Sequence, residues 1–133
     1  MRERWEKFSS RHFGRSAEVL AERWLKNKGY RILERNLRLG GGELDLIAQD
    51  RDFLVFIEVK GRRTAQFGGA PYAVTDRKKR QIIKLASYYL SRHGLSNQLC
   101  RFDVMLISGT GQETPVVTHM EQAFEVSSSD WQW

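Results

Sequence analysis

"GGELDLIAQDRDFLVFIEVKGR", residues 41 to 62, decides how this chain folds. Apolar residues run through both halves, and a polar stretch from Gln49 to Asp52 separates them. That is the pattern of two β-strands joined by a tight turn. Glu43, Asp45, Glu58 and Lys60 interrupt it where a plain hairpin would carry apolar side chains. Side chains alternate along a strand, so Glu43 and Asp45 share one face of the first strand, and Glu58 and Lys60 share one face of the second. With the turn at Asp50–Arg51, Glu43 lies opposite Glu58, Asp45 lies opposite Phe56, and Asp45 is a diagonal neighbour of Glu58. All four charges then project from one face. Leu44, Leu46, Ala48, Val55, Ile57 and Val59 build the core on the other. A turn one residue longer or shorter would separate the two sets.

Carboxylates this close repel, and burying them is costly without a counter-charge. A divalent cation resolves both problems. Mg²⁺ or Mn²⁺ takes one or two protein carboxylates and fills its other positions with water and phosphate oxygens. Asp45 and Glu58 are the expected metal ligands, with Glu43 beside them. Lys60 would orient or deprotonate an attacking water, or stabilise charge developing on phosphorus. Glu-x-Lys alone occurs by chance as a surface ion pair. The Glu-x-Asp on a partner strand makes the set a self-consistent phosphodiesterase site.

Outward from the hairpin, residues 13 to 28 show helical periodicity, with Ala17, Leu20, Ala21, Trp24 and Leu25 on one stripe and Gly29 as the stop. "YRILERNL" reads as a strand before the hairpin. Thr75 is a plausible N-cap for a helix over 76 to 92, whose stripe is Ile82, Ile83, Leu85, Ala86, Tyr89 and Leu90, and Gly94 ends it. "RFDVMLIS" is a fourth strand and "PVVTHMEQAF" contains a short fifth. The order αβββαββ predicts an α/β domain, a mixed central sheet of about five strands flanked by helices, with a crossover between the third and fourth strands. Residues 1–12 read as an N-terminal extension, 13–126 as a single domain and 127–133 as a loose tail.

The chain of 133 residues has a net charge of +6. Excess positive charge favours polyanionic partners. Basic residues gather before residue 38, at Arg62–Arg63 and at Arg77, Lys78, Lys79 and Arg80. The last run opens a helix, where cations oppose the dipole unless a phosphate binds there. These six residues are the expected nucleic-acid contacts. Cys100 is the only cysteine, which excludes an internal disulfide. The apolar runs are too short to span a bilayer and the start lacks a signal-peptide pattern, so a cytoplasmic protein without a membrane partner is expected. His12, His93 and His119 show no ligand spacing, and Asp103 is expected to pair with Arg101. Trp24 reads as core.

Asp45, followed by Glu58-Val59-Lys60, resembles the PD-(D/E)xK motif of the restriction-endonuclease-like superfamily. More closely, "GRSAEVLAERWLKNKGYRILERN", "GELDLIA", "FIEVKGR", "FGGAPYAVTDRKKRQII" and "CRFDV" resemble the YraN-like family of small bacterial proteins, over nearly everything from Gly14 to Phe124. The resemblance implies a restriction-endonuclease-like core and a metal-dependent site at Asp45, Glu58 and Lys60. Archaeal Holliday-junction resolvases, which are similar, add a glutamate from the first helix, and Glu18 holds that place here. The implied activity is a metal-dependent endonuclease acting on DNA rather than RNA, with branched or structured DNA a candidate substrate and a homodimer one arrangement. Two other readings compete with it. One is a non-catalytic nucleic-acid-binding module with the same fold. The other is a protein-binding adaptor whose hairpin acids form a structural ion-pair network.

Overall fold

A computed structural model of the protein describes residues 10–40, 42–62, 74–95, 97–109 and 115–131, with side-chain detail beginning at Ala17. Among these residues, helix α1 spans Ser10–Asn27, strands β1, β2 and β3 span Arg31–Leu39, Gly42–Asp50 and Phe53–Arg62, helix α2 spans Asp76–Arg92, and strands β4 and β5 span Cys100–Ser108 and Val116–Met120. The five strands form one sheet in the order β1-β2-β3-β4-β5. The β3–β4 pair is parallel, with α2 in the crossover, and every other pair is antiparallel. Arg63 and residues 64–73 lie outside the described residues.

One helix covers each face of the sheet. On the α1 side, Ala17, Ala21 and Leu25 pack with Leu46, Ala48, Val55, Ile57, Met105 and Ile107. On the α2 side, the stripe from Ile82 to Leu90 packs with Leu44, Ile47, Leu54, Phe56, Phe102 and Phe124. The central strand β3 sends Leu54 and Phe56 one way and Val55 and Ile57 the other. That is why its sequence is an almost continuous apolar run.

Local signals set the helix ends. The Thr75 hydroxyl caps α2, accepting from the Lys78 backbone N–H at 3.2 Å. Both helices close on a glycine in the left-handed region, Gly29 at φ 94° and Gly94 at φ 64°. Behind each, the next residue reaches back five positions, Tyr30 N–H to Leu25 O at 3.0 Å and Leu95 N–H to Leu90 O at 2.9 Å. Trp24, read from the sequence as core, is 40% exposed. Ala17, Ala21 and Leu25 fill the seam instead, because small residues let the helix lie close to the sheet. The stretch from 127 carries a short 3-10 turn, Ser128–Asp130, and the Trp131 ring packs 5.7 Å from Phe102.

The hairpin register differs from the sequence reading. The turn is Arg51–Asp52, closed by Asp50 opposite Phe53, and the ladder runs to Leu46 opposite Ile57. Arg51 supplies the left-handed residue, at φ 56°. Gln49 and Gln98 donate to the turn carbonyls of Arg51 and Asp52 at 3.2 and 2.7 Å. The pairing is displaced by two residues, so face parity survives, but Asp45 comes level with Glu58 rather than Phe56.

A second departure changes the faces. Leu44 and Ile47 sit in the same core cluster, although alternation would put residues three apart on opposite faces. Strand β2 therefore kinks between them, and the β2–β3 ladder stops at the same level. Leu44 packs toward α2, not with Leu46 and Ala48 as expected.

Candidate metal centre

The kink makes the site. Beyond Leu46 the strands part, and the Asp45 carboxylate occupies the seam, where Oδ2 accepts from the Val59 backbone N–H at 2.7 Å. Glu43 precedes it on β2 and Glu18 comes from α1. Carboxylate oxygens of Glu18, Glu43 and Asp45 lie within 4.8 Å of one another. All three are half-buried. Burial raises the Asp45 pKa from 3.8 to about 8, the Val59 N–H opposes the rise, and the Glu18 and Glu58 carboxylates add to it. Arg38 Nε stands 3.8 Å from Glu43 Oε1, and Asp45 itself is the group that a proton or a cation would suit.

Glu58 belongs to the other side. It is 6% exposed, and Oε1 pairs with Lys78 Nζ on α2 at 3.0 Å. Its Oε2 is buried without a hydrogen-bond partner among the described residues. Lys60, two residues on and thus on the same side of β3, is exposed. The four hairpin charges therefore do not share one face, as the sequence reading had them. Asp45 stands in the seam with Glu18 and Glu43, while Glu58 leans to Lys78 on α2 and still acts on Asp45 through its charge. The kink in β2 is the physical reason.

The donor set is all carboxylate oxygen, which suits a hard cation such as Mg²⁺ or Mn²⁺. Glu58 Oε2 is a buried anionic oxygen still in need of a partner, which fits the same group. Glu18, Glu43 and Asp45 are the residues placed to hold it from one side. Glu22, one turn along α1, shows how the chain treats an acid that needs no cation. Arg35 donates to both its oxygens, at 2.6 and 2.8 Å, and Lys26 lies 2.8 Å away. The Arg35 bonds hold Glu22 down at about 2.

A groove of about 850 Å³ opens beside the acids, between α1 and β1, with Arg23, Arg35 and Arg38 on its walls. The basic run at the start of α2 divides. Lys78 serves Glu58, Lys79 lies over the Phe124 ring at 5.8 Å, and Arg77 and Arg80 are exposed, as is Arg62 at the end of β3. Asp103 pairs with Arg101 as expected, and His119 joins it at 2.7 Å. Among the described residues, no helix is long and apolar enough to cross a membrane.

Asn36 was missed. It lies across from Asp45 on β1, between the pairs Arg35–Leu46 and Leu37–Leu44, with its backbone left-handed at φ 53°. An asparagine inside "LERNLRL", where strands disfavour it, was the available signal.

Comparison with known proteins places the chain in a group. The model of the family described as "Uncharacterised protein family UPF0102" matches residues 17–107. A UPF0102 protein of Hahella chejuensis is 48% identical over 101 residues, covering 74% of this chain and 82% of the relative. One from Geobacter sulfurreducens is 44% identical over 114 residues, covering 86% and 89%. Among solved structures, one described as "Crystal structure of SSO0001" aligns with 93% of this chain and 63% of that one at 16% identity and a TM-score of 0.41, a likeness too slight to argue from. The matched span runs from Ala17 through every site residue to Ile107, and on it the chain belongs to the UPF0102 family.

Proposed function

We propose that this protein is a divalent-cation-dependent nuclease of the restriction-endonuclease-like superfamily, hydrolysing phosphodiester bonds in DNA. The observation that carries the reading is the convergence of Glu18, Glu43 and Asp45 within 4.8 Å, around an Asp45 whose ionised form is disfavoured. Arg38 approaches Glu43 only at 3.8 Å, looser than the 2.6 and 2.8 Å pairs that Arg35 and Lys26 make with Glu22. A bound Mg²⁺ or Mn²⁺ would polarise a phosphate oxygen and lower the pKa of a water. The chain's part is to hold that centre from α1 and β2. The exposed Lys60 ammonium, reaching from β3 across the seam, would serve the water or the developing phosphorane charge, and Glu58 is buried and paired with Lys78. Arg62, Arg77 and Arg80, with Arg23 and Arg38 along the groove, offer exposed charge to the DNA backbone.

The test is cleavage of linear, flapped and four-way DNA with Mg²⁺ or Mn²⁺. Cation-dependent cutting by the wild type, lowered about 10²-fold or more in Asp45→Asn and Lys60→Ala, is the expected result. A wild type that cuts none of the three overturns it. The pairing of Glu58 with Lys78 favours a second reading, a non-catalytic DNA-binding module. That reading predicts salt-sensitive DNA binding that survives both substitutions, with no cutting.

A further inference from the structure

Asn36 faces two of the acids at once. With its amide nitrogen turned toward them, it donates to Glu43 Oε1 at 2.9 Å and to Glu18 Oε2 at 3.2 Å. The opposite orientation would set the amide oxygen against two carboxylate oxygens, which is electrostatically unfavourable. The two acceptors come from different elements, α1 and β2, so one side chain ties the helix to the hairpin at the level of Asp45. The backbone at φ 53° makes this reach possible. Asparagine tolerates that region better than other residues with a Cβ, because its short polar side chain bonds locally.

The choice of residue matters. An arginine here would neutralise the acids, as Arg35 does for Glu22, and would repel a cation. An amide supplies a hydrogen bond to each carboxylate without a full positive charge.

We infer that Asn36 is a positioning residue of the carboxylate site: its amide holds Glu18 and Glu43 in place for a divalent cation. The inference rests on reading that cluster as a cation site. Outer partners that orient metal ligands typically change affinity 10- to 100-fold when removed.

The experiment is titration calorimetry of the full chain with Mn²⁺ alone, comparing wild type with Asn36→Gly. Glycine accepts the left-handed backbone, so the variant removes the amide without straining β1. Metal-free melting temperatures of the two proteins verify that the fold is kept. The expected result is a Mn²⁺ affinity at least about tenfold weaker in Asn36→Gly. As a second measurement, the Asn36 side-chain NH₂ signals of the metal-free protein should shift in Glu18→Gln and in Glu43→Gln. Wild type that binds Mn²⁺ beside an Asn36→Gly that binds within twofold of it overturns the inference and leaves the site reading standing. NH₂ signals indifferent to both glutamine variants overturn it too. Wild type that takes up no Mn²⁺ overturns both.

Discussion

Asp45 and Asp103 are both drawn in from solvent two strands apart, and their electrostatic settings are opposite. Burial alone would raise the pKa of each. Asp103, 2% exposed, is met by His119 Nε2 at 2.7 Å, by two Arg101 nitrogens at 2.9 and 3.0 Å, and by the Gln122 backbone N–H at 3.0 Å. These donors outweigh burial and hold its carboxyl below the usual range. Asp45 receives one backbone N–H and faces two more carboxylates, and its pKa rises. The same fold thus contains one acid that is finished and one that is not. Where a buried charge serves the structure, the chain supplies the counter-charge from its own strands. Asp45 receives no counter-charge of its own among the described residues.

The comparison breaks most visibly at Asp103. Asp103→Ala leaves Arg101 and His119 half-buried around an absent anion and should cost about 3–5 kcal/mol in urea unfolding. Loss below 1 kcal/mol would mean that the network is ornamental. Lys78→Ala comes next, because it strips the only ion-pair partner described for Glu58. We expect about 1–3 kcal/mol of destabilisation, read the same way.

Asp45→Asn is the smallest effect and has the opposite sign. Removing an ionisable group from among carboxylates should stabilise the protein by about 0.5–2 kcal/mol at neutral pH. The pH dependence sharpens the contrast. A raised folded pKa means that the native state holds the extra proton, so the contribution of Asp45 is full below 3.8 and is lost as pH rises toward about 8. For Asp103, with its folded pKa lowered, the contribution is present above 3.8 and is lost as pH falls through the folded value. Melting curves across this range should show the decline toward pH 8 in wild type and a flatter profile in Asp45→Asn. An unchanged profile would refute the assignment of that slope to Asp45.

Much of this was legible in the sequence. Periodicity located both helices, and alternation located the strands. Thr75 announced its cap. Glu43 and Asp45 were read from the hairpin and Glu18 came with the family resemblance, and the structure brings the three together. The faces were harder. Gln49-Asp50-Arg51-Asp52 contains no glycine or Asn-Gly pair to fix the turn, so the register was free to move by two residues. In "LDLIAQ" Leu46, Ile47 and Ala48 follow one another without alternation, because both faces of the strand are covered, and a kink in such a run leaves no periodic trace. The role of Lys78 was hidden for a different reason. It is a contact between a helix and a strand some twenty residues apart, which no local spacing records. Asn36 was visible only as an oddity of composition.

The irregular backbone of β1 has one more consequence. Among the described strands, β1 is an edge of the sheet, and an open edge is a template on which another chain can add a strand. Here the template is spoiled. The register slips between Ile32 and Glu34, Asn36 turns left-handed, and Arg31, Glu34, Arg35 and Arg38 stand exposed along it. The bends that bring an amide to the acids also make the strand bordering the groove a poor template for edge-to-edge pairing.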